Sequence, residues 1–252
     1  MVDLLTRRWV YKETALTIKS DDARAIDTAV EAALRARQEV ERYAVTYPEF
    51  RWSLEPVELE GEHPRVIELM LRAGKLARVG PFAAVAGAIS QIAMEAALEQ
   101  GARNVLVENG GDIAIAGDRD FIVGVYAGTA STSSKLGFLI KSARLPLGIC
   151  TSSGLIGHSI SFGDADATVV FAREASVADA AATSVANSVR GSDTRQSILD
   201  GLNRASRIRE IEGCLIIRGE HVGVWGEVPE IITFDERSPV PVGGGVVSGI
   251  KS

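Results

Sequence analysis

The stretch Gly148–Val189, GICTSSGLIGHSISFGDADATVVFAREASVADAAATSVANSV, decides how the rest of the chain is read, because glycine and small polar residues are spent there at a density that packing does not require. It reads as a pocket wall. Asp166–Ala172 (DATVVFA) is a β-branched apolar run that predicts a buried strand, and Ser176 then opens a small-residue helix through about Val189. On that helix Asp179, Thr183 and Asn187 fall at i, i+4 and i+8, so three oxygen-bearing side chains share one face. A carboxylate and a hydroxyl one turn apart are hard oxygen ligands of the kind Mg²⁺ accepts, with substrate phosphate and water completing the shell. The same residues fit a plainer role. Ser176-Val-Ala-Asp179 has the form of a capping box, in which an acidic residue satisfies a free amide and favours the helix dipole. From this helix alone both readings stand.

Upstream, from Asn104, short apolar runs alternate with glycine and aspartate: NVLVE, DIAIAG, FIVGVYAG, LGFLI and LPLGICT, which with DATVVFA predict the strands of one sheet. Before them, Gly80-Pro81 starts a helix, PFAAVAGAISQIAMEAALEQ, closed by Gly101. Its first half carries so little side chain that a sheet or a ligand must pack close to it. Pro64–Ala73 predicts a shorter helix with Gly74 as its C′ glycine, and Phe50–Leu59 an extended edge segment. Trp9–Lys19 alternates as a single strand, and Ser20-Asp-Asp caps a helix to about Tyr43. Downstream come a helix over Thr194–Arg207, a hairpin in CLIIRG-EH-VGVWG, the strand EIITF and a Pro- and Gly-rich tail, Ser238–Ser252, expected to be mobile. The pattern predicts one α+β domain over residues 1–237, with helices on a largely antiparallel sheet.

Composition bounds the function. With 252 residues, 46% apolar and 24% charged, the chain has ample core and no signature of disorder. A net charge of −6 argues against a nucleic-acid surface, which calls for clustered Lys and Arg. Cys150 and Cys214 stand far apart and the three histidines are scattered, so neither a disulfide framework nor a Cys- or His-built metal site is indicated. There is no signal-like start and no uncharged run near the ~20 residues a membrane span needs, so no membrane partner is expected and the cytoplasm is the expected location.

Two further constellations could carry chemistry. Glu108-Asn109-Gly110-Gly111-Asp112 lies between two strand-like runs and reads first as a hairpin turn. Its glycines would also let backbone amides approach a phosphate or flavin ring, with Asn109 or Asp112 hydrogen-bonding a heterocycle or ribose. Cys150-Thr151-Ser152-Ser153-Gly154 follows a short strand, and its hydroxyls and amides suit an anion, with Lys135, Lys141 and Arg144 as sequence-near positive charges. An ordinary turn rich in Ser and Thr is the alternative. His158 is the candidate general acid or base, and Cys150 reads as a buried core thiol.

Together and in this order, these segments resemble the ApbE family, flavin transferases that move FMN from FAD onto a protein threonine. LARVGPFAAVAGAI is similar to that family's D-x-G-x-I-A-K-G-Y helix start, NVLVENGGDIAIAG to its N-x-G-G-D-I strand pair, and GICTSSG to its A-T-S-G turn. ATVVFAREASVADAAATSV is similar to its V-T-V-V-A…A-D-A-L-A-T segment. The resemblance runs from about Leu76 to Val189, somewhat under half the chain. It implies an ApbE-like, T-fold-related architecture and Mg²⁺ held by Asp179 and Thr183 beside the pyrophosphate of FAD or a related nucleotide. It also implies a nucleotide pocket lined by Asn109, Gly110, Gly111, Asp112, Thr151, Ser152 and Ser153, and a homodimer is a further expectation.

Two departures qualify it. Ala83–Gly87 (AAVAG) lacks the family's lysine, and HSISFGDAD after His158 replaces H-I-I-D-P-R-T-G. The chain looks more like a short ApbE-like branch of archaea and bacteria, whose genomic setting loosely links it to sulfur incorporation into homocysteine. The expected function is therefore a flavin or nucleotide pocket with a Mg²⁺ site and without standard flavinyl transfer. The alternative is a non-enzymatic accessory protein of homocysteine synthesis.

Overall fold

The computed structural model describes residues 4–125, 136–152, 163–235 and 238–241. Its strands are β1 Leu5–Tyr11, β2 Thr14–Ser20, β3 Val105–Asn109, β4 Asp112–Ala116, β5 Phe121–Val125 and β6 Leu136–Ile140. They continue with β7 Leu147–Ser152, β8 Ala167–Ala172, β9 Ile211–Arg218, β10 His221–Gly226, β11 Glu230–Asp235 and β12 Ser238–Pro241. The helices are α1 Ala23–Thr46, α2 Pro48–Trp52, α3 Arg65–Ala77, α4 Val85–Glu99, α5 Ala175–Ala186 and α6 Thr194–Ala205, with a 3-10 turn, Pro81–Ala84, leading into α4.

Among the described residues the strands form two sheets rather than one. Eight run in the order β1-β2-β3-β4-β7-β8-β9-β10, and β12-β11-β6-β5 form the other. Every pairing is antiparallel, as the α+β reading expects. The large sheet is apolar on both faces, which is why its strands read as continuous runs and why one face is covered by helices and the other by the small sheet. Val105 and Val107 of β3 join the core beneath α1, α3, α4 and α5, while Leu106 points the other way toward Phe121, Phe138 and Ile140. An apolar run does not say which sheet it belongs to, so FIVGV and LGFLI were not separable from the rest by sequence.

Three other segments depart from the sequence reading. Trp9–Lys19 is a hairpin, not one strand, and reverses where Lys12 takes φ 52. Phe50–Leu59 begins within α2, whose Phe50 is fully buried. Helix α3 runs through Gly74 and ends at Arg78, which has the left-handed conformation expected of a C′ glycine. Gly74 serves packing instead, since a Cβ there would meet the Val79 carbonyl at 2.8 Å. The tail also starts in structure, because Ser238–Pro241 pairs with β11. The run Pro81–Glu99 has a mean hydropathy of 1.4 because it is a core helix, 56% of it buried against its neighbours.

Candidate functional site

Hairpin β3–β4 turns through Gly110 and Gly111, both at positive φ (65° and 105°), a geometry that glycine adopts without strain. The turn reading is therefore right, and the residues flanking it are aimed. Strand alternation puts Asn109 and Asp112 on the helix side, in step with Val107 and Ala114. Asn109 Nδ2 donates to the Ala86 carbonyl at 3.3 Å, and the Asp112 carbonyl accepts from Ser90 Oγ at 2.9 Å. The first turns of α4 are thus latched to the hairpin.

Helix α5 supplies the facing wall. Its N-cap is Glu174, with no side-chain bond to the helix, and Ser176 lies inside it, donating through Oγ to Gln91 Oε1 at 3.1 Å. Asp179 does not cap its own helix. Its Oδ2 accepts from the Gly87 N–H of α4 at 2.8 Å. A Cβ on Gly87 would lie 2.3 Å from the Ala175 carbonyl oxygen and 2.7 Å from the Asp179 Cβ. The close neighbour that the small residues of α4 demanded is therefore α5. Thr183 follows Asp179 by one turn and is equally enclosed.

The electrostatics of this seam are unusual. Burial pushes the Asp112 carboxyl up to about 7, against the opposing pull of the Cys150 thiol and the Thr151 N–H. Asp179 is pushed well above the usual carboxylate range, first by burial and then by the Asp112 charge, with the Gly87 and Ala86 amides opposing. Burial and both carboxylates raise the Cys150 thiol too, so it is an unreactive core thiol bonded at 3.3 Å to the Ala175 carbonyl. Asp112 as a residue is partly exposed, but its Oδ1 is sealed and has no hydrogen-bond partner among the described residues. The same is true of the hydroxyls of Ser152, Thr168 and Thr183. Ser152 and Thr168 are directly paired across β7 and β8 and alternate onto the helix side with Cys150 and Val170. A buried polar atom without a partner costs roughly 1–3 kcal/mol, so four in one seam ask for a ligand.

Among the described residues no three His, Cys, Asp or Glu side chains gather to hold a metal. Residues 4–201 match the model of the protein family described as AbpE bacteria. The chain belongs to that family. It is 40% identical over 233 residues to the UPF0280 protein MJ1526 of Methanocaldococcus jannaschii, covering 92% of this chain and 94% of that one. It is 45% identical over 206 residues to a UPF0280 protein of Methanothermobacter thermautotrophicus, covering 81% and 80%. Among solved structures it is similar to a mutant of the flavin transferase ApbE from Vibrio cholerae, with TM-score 0.57 and 13% identity over 89% of this chain and 97% of that one. The apo flavinyl transferase ApbE of Pseudomonas stutzeri gives TM-score 0.56 at 12% identity, over 89% and 95%. At such identity the likeness is one of fold, and the ApbE-like α+β architecture is what it establishes.

Within that ApbE-like fold the predicted residues divide. Asn109, Gly110, Gly111, Asp112, Ser152, Asp179 and Thr183 all belong to the hairpin, β7 and α5 that border the seam. Thr151 alternates with Ile149 onto the opposite face and offers the seam only its N–H, to Asp112. Ser153, His158 and Lys135 lie outside the described residues. Lys141 and Arg144 do not serve this seam: Lys141 pairs with Asp120, and Arg144 with Glu212. Sequence reasoning missed Gly87 and Thr168. Thr168 carried a signal, as the one hydroxyl in DATVVFA, and Gly87 carried one only as part of a small-residue run calling for a close neighbour, because its partner is 92 residues away. Two open clefts of about 330 and 510 Å³ share Arg173 and Glu212 in their walls, and those charged walls are ion-paired rather than orphaned.

Proposed function

We propose that the chain binds the phosphates of a flavin or related nucleotide through Mg²⁺ carried by Asp179 and Thr183, without passing FMN to a protein threonine. The observation that supports it is the seam of buried carboxylates and unpartnered hydroxyls facing one another across α5, β4, β7 and β8. Bound there, the ion would supply the positive charge that draws phosphate oxygens into the seam. Ser152 and Thr168 would donate hydroxyl hydrogens to those oxygens. Gly110 and Gly111 leave open space where side chains would stand, so the hairpin turn can face the nucleotide with its main chain. Flavinyl transfer is left out because Ala83–Gly87 holds no lysine, and its Ala84 is fully buried. The same gap favours, as a second reading, a binding or accessory protein, such as one in homocysteine synthesis, that retains the pocket and has no transfer chemistry.

Isothermal titration of FAD and ADP into the protein, with Mg²⁺ and with EDTA, tests this. Asp179→Asn removes a ligand charge and is expected to abolish the Mg²⁺-dependent part of the affinity, and Thr183→Val to mimic it more weakly. Equal affinity in all three proteins under both conditions would remove the metal site. An in-gel flavin band on a threonine-containing acceptor, dependent on Mg²⁺ and FAD, would overturn the exclusion of transfer.

A further inference from the structure

Asp112 stands where a residue for the heterocycle or ribose was expected, yet the groups that act on it are the Cys150 thiol and the Thr151 N–H, and its own charge acts on Asp179. Its backbone carbonyl is fixed by Ser90, its cross-strand partner Asn109 by Ala86, and its strand by pairing along its length to β3 and over Ile113–Ile115 to β7. The side chain therefore has little freedom to turn toward a ring outside the seam. Two carboxylates are held within Coulomb range of each other, and no Lys, Arg or His among the described residues acts on either. Thr183, 6% exposed, adds a hydroxyl without a partner beside them.

We infer that Asp112 is a second carboxylate of the cation site, acting with Asp179 so that the seam is built for a divalent ion. The inference rests on the Mg²⁺ reading above and changes the part Asp112 plays in it. One carboxylate with one hydroxyl is a weak site for Mg²⁺, whereas a second carboxylate strengthens it and favours a divalent ion over K⁺ or Na⁺. Asp112 binds the ion directly through its unpartnered Oδ1, or orients a water on it. Either way its buried, unpartnered Oδ1 is a cost to the fold without the ion and a ligand with it. A structural aspartate would show no such reversal.

The test is melting and Mg²⁺ titration, without nucleotide, on the full chain and its Asp112→Asn, Asp112→Ser and Asp179→Asn variants. Asparagine keeps the acceptor for the Thr151 N–H, so Asp112→Asn is expected to fold and, in EDTA, to melt no lower than the parent. Its Mg²⁺ affinity is expected to fall on the order of 10- to 100-fold, with loss of the Mg²⁺-induced rise in melting temperature. Asp112→Ser is expected to behave likewise, which keeps the test open should one variant misfold. If both Asp112 variants bind Mg²⁺ like the parent while Asp179→Asn does not, Asp112 is no part of the site and the Asp179–Thr183 reading stands. If the parent binds no Mg²⁺ without nucleotide the inference falls, and if it binds none with ADP added the Asp179–Thr183 reading falls with it. A large loss of stability in EDTA for both Asp112 variants would make the residue structural and overturn the inference.

Discussion

Replacing Gly87 by alanine puts a methyl group 2.3 Å from the Ala175 carbonyl oxygen and 2.7 Å from the Asp179 Cβ. Ordinary contact begins at 3.4 Å, so α4 and α5 must part by about 1 Å at a point where both are packed. Overpacking of that kind costs roughly 1–3 kcal/mol. Stretching the buried 2.8 Å bond from the Gly87 N–H to Asp179 adds about 1–2 kcal/mol. The better helix propensity of alanine returns about 1 kcal/mol. The balance is a loss of roughly 1–4 kcal/mol, which at this chain length lowers the melting temperature by roughly 5–10 °C at mid-range. Urea unfolding followed by fluorescence should show a lower midpoint with an unchanged slope, because the change strains the native state without altering the surface exposed. A Gly87→Ala protein as stable as the parent, or stabilised as an exposed helical glycine would be, would mean that α4 and α5 do not meet there. The placement of Asp179 would then be wrong as well.

Other substitutions separate different kinds of constraint. Gly111→Ala has no atom within 4 Å to strike, so its cost should come from φ 105° alone, on the order of 1–3 kcal/mol; a null effect in urea melts would refute the turn geometry. Burial pushes the Asp21 carboxyl up, but hydrogen bonds from Asn104 and from the Arg103 N–H outweigh it and leave it below 3.8. A folded-state value below the unfolded one means that this contribution is present above about 3.8 and lost as pH falls through the lowered value. Urea midpoints should therefore drop on acidification in that range, and Asn104→Ala should flatten the drop; identical pH profiles for parent and variant would exclude the coupling.

What the sequence disclosed was local. The β-branched apolar run DATVVFA and the i, i+4 spacing of Asp179 and Thr183 need no knowledge of the rest of the chain, and both survive as β8 and one face of α5. The hairpin dipeptide Gly110-Gly111 was equally readable, because its positive φ values are a requirement of the turn itself. The capping-box reading of Ser176 and Asp179 failed because those side chains are claimed by Gln91 and Gly87 on another helix, a competition that no local pattern reports. Gly74 misled for a related reason. A glycine near a helix end usually marks the stop, but here it makes room for Val79 and Pro81 while the non-glycine Arg78 takes the left-handed turn. The β1–β2 reversal was hidden because Lys12 adopts φ 52 without a turn signature in the sequence.

The cost of the seam argues for its use. Elsewhere carboxylates are met by cations or amides: Glu41 by Lys12 and Arg37, Asp120 by Lys141, Asp118 by Arg103 and Asn104. Asp112 and Asp179 have amides but no cation among the described residues, and they share their seam with three buried hydroxyls that have no partner there. A packing defect would be expected to relax, since α4 could slide on α5 or the hairpin could tilt and let water in. Every such movement is blocked by a specific contact: Gly87 against Ala175 and Asp179, Asn109 on Ala86, Ser90 on the Asp112 carbonyl and Ser176 on Gln91. An electrostatic deficit confined to one place, and held there by contacts that relieve it only in part, is what the proposed site for a cation and its phosphate partner requires.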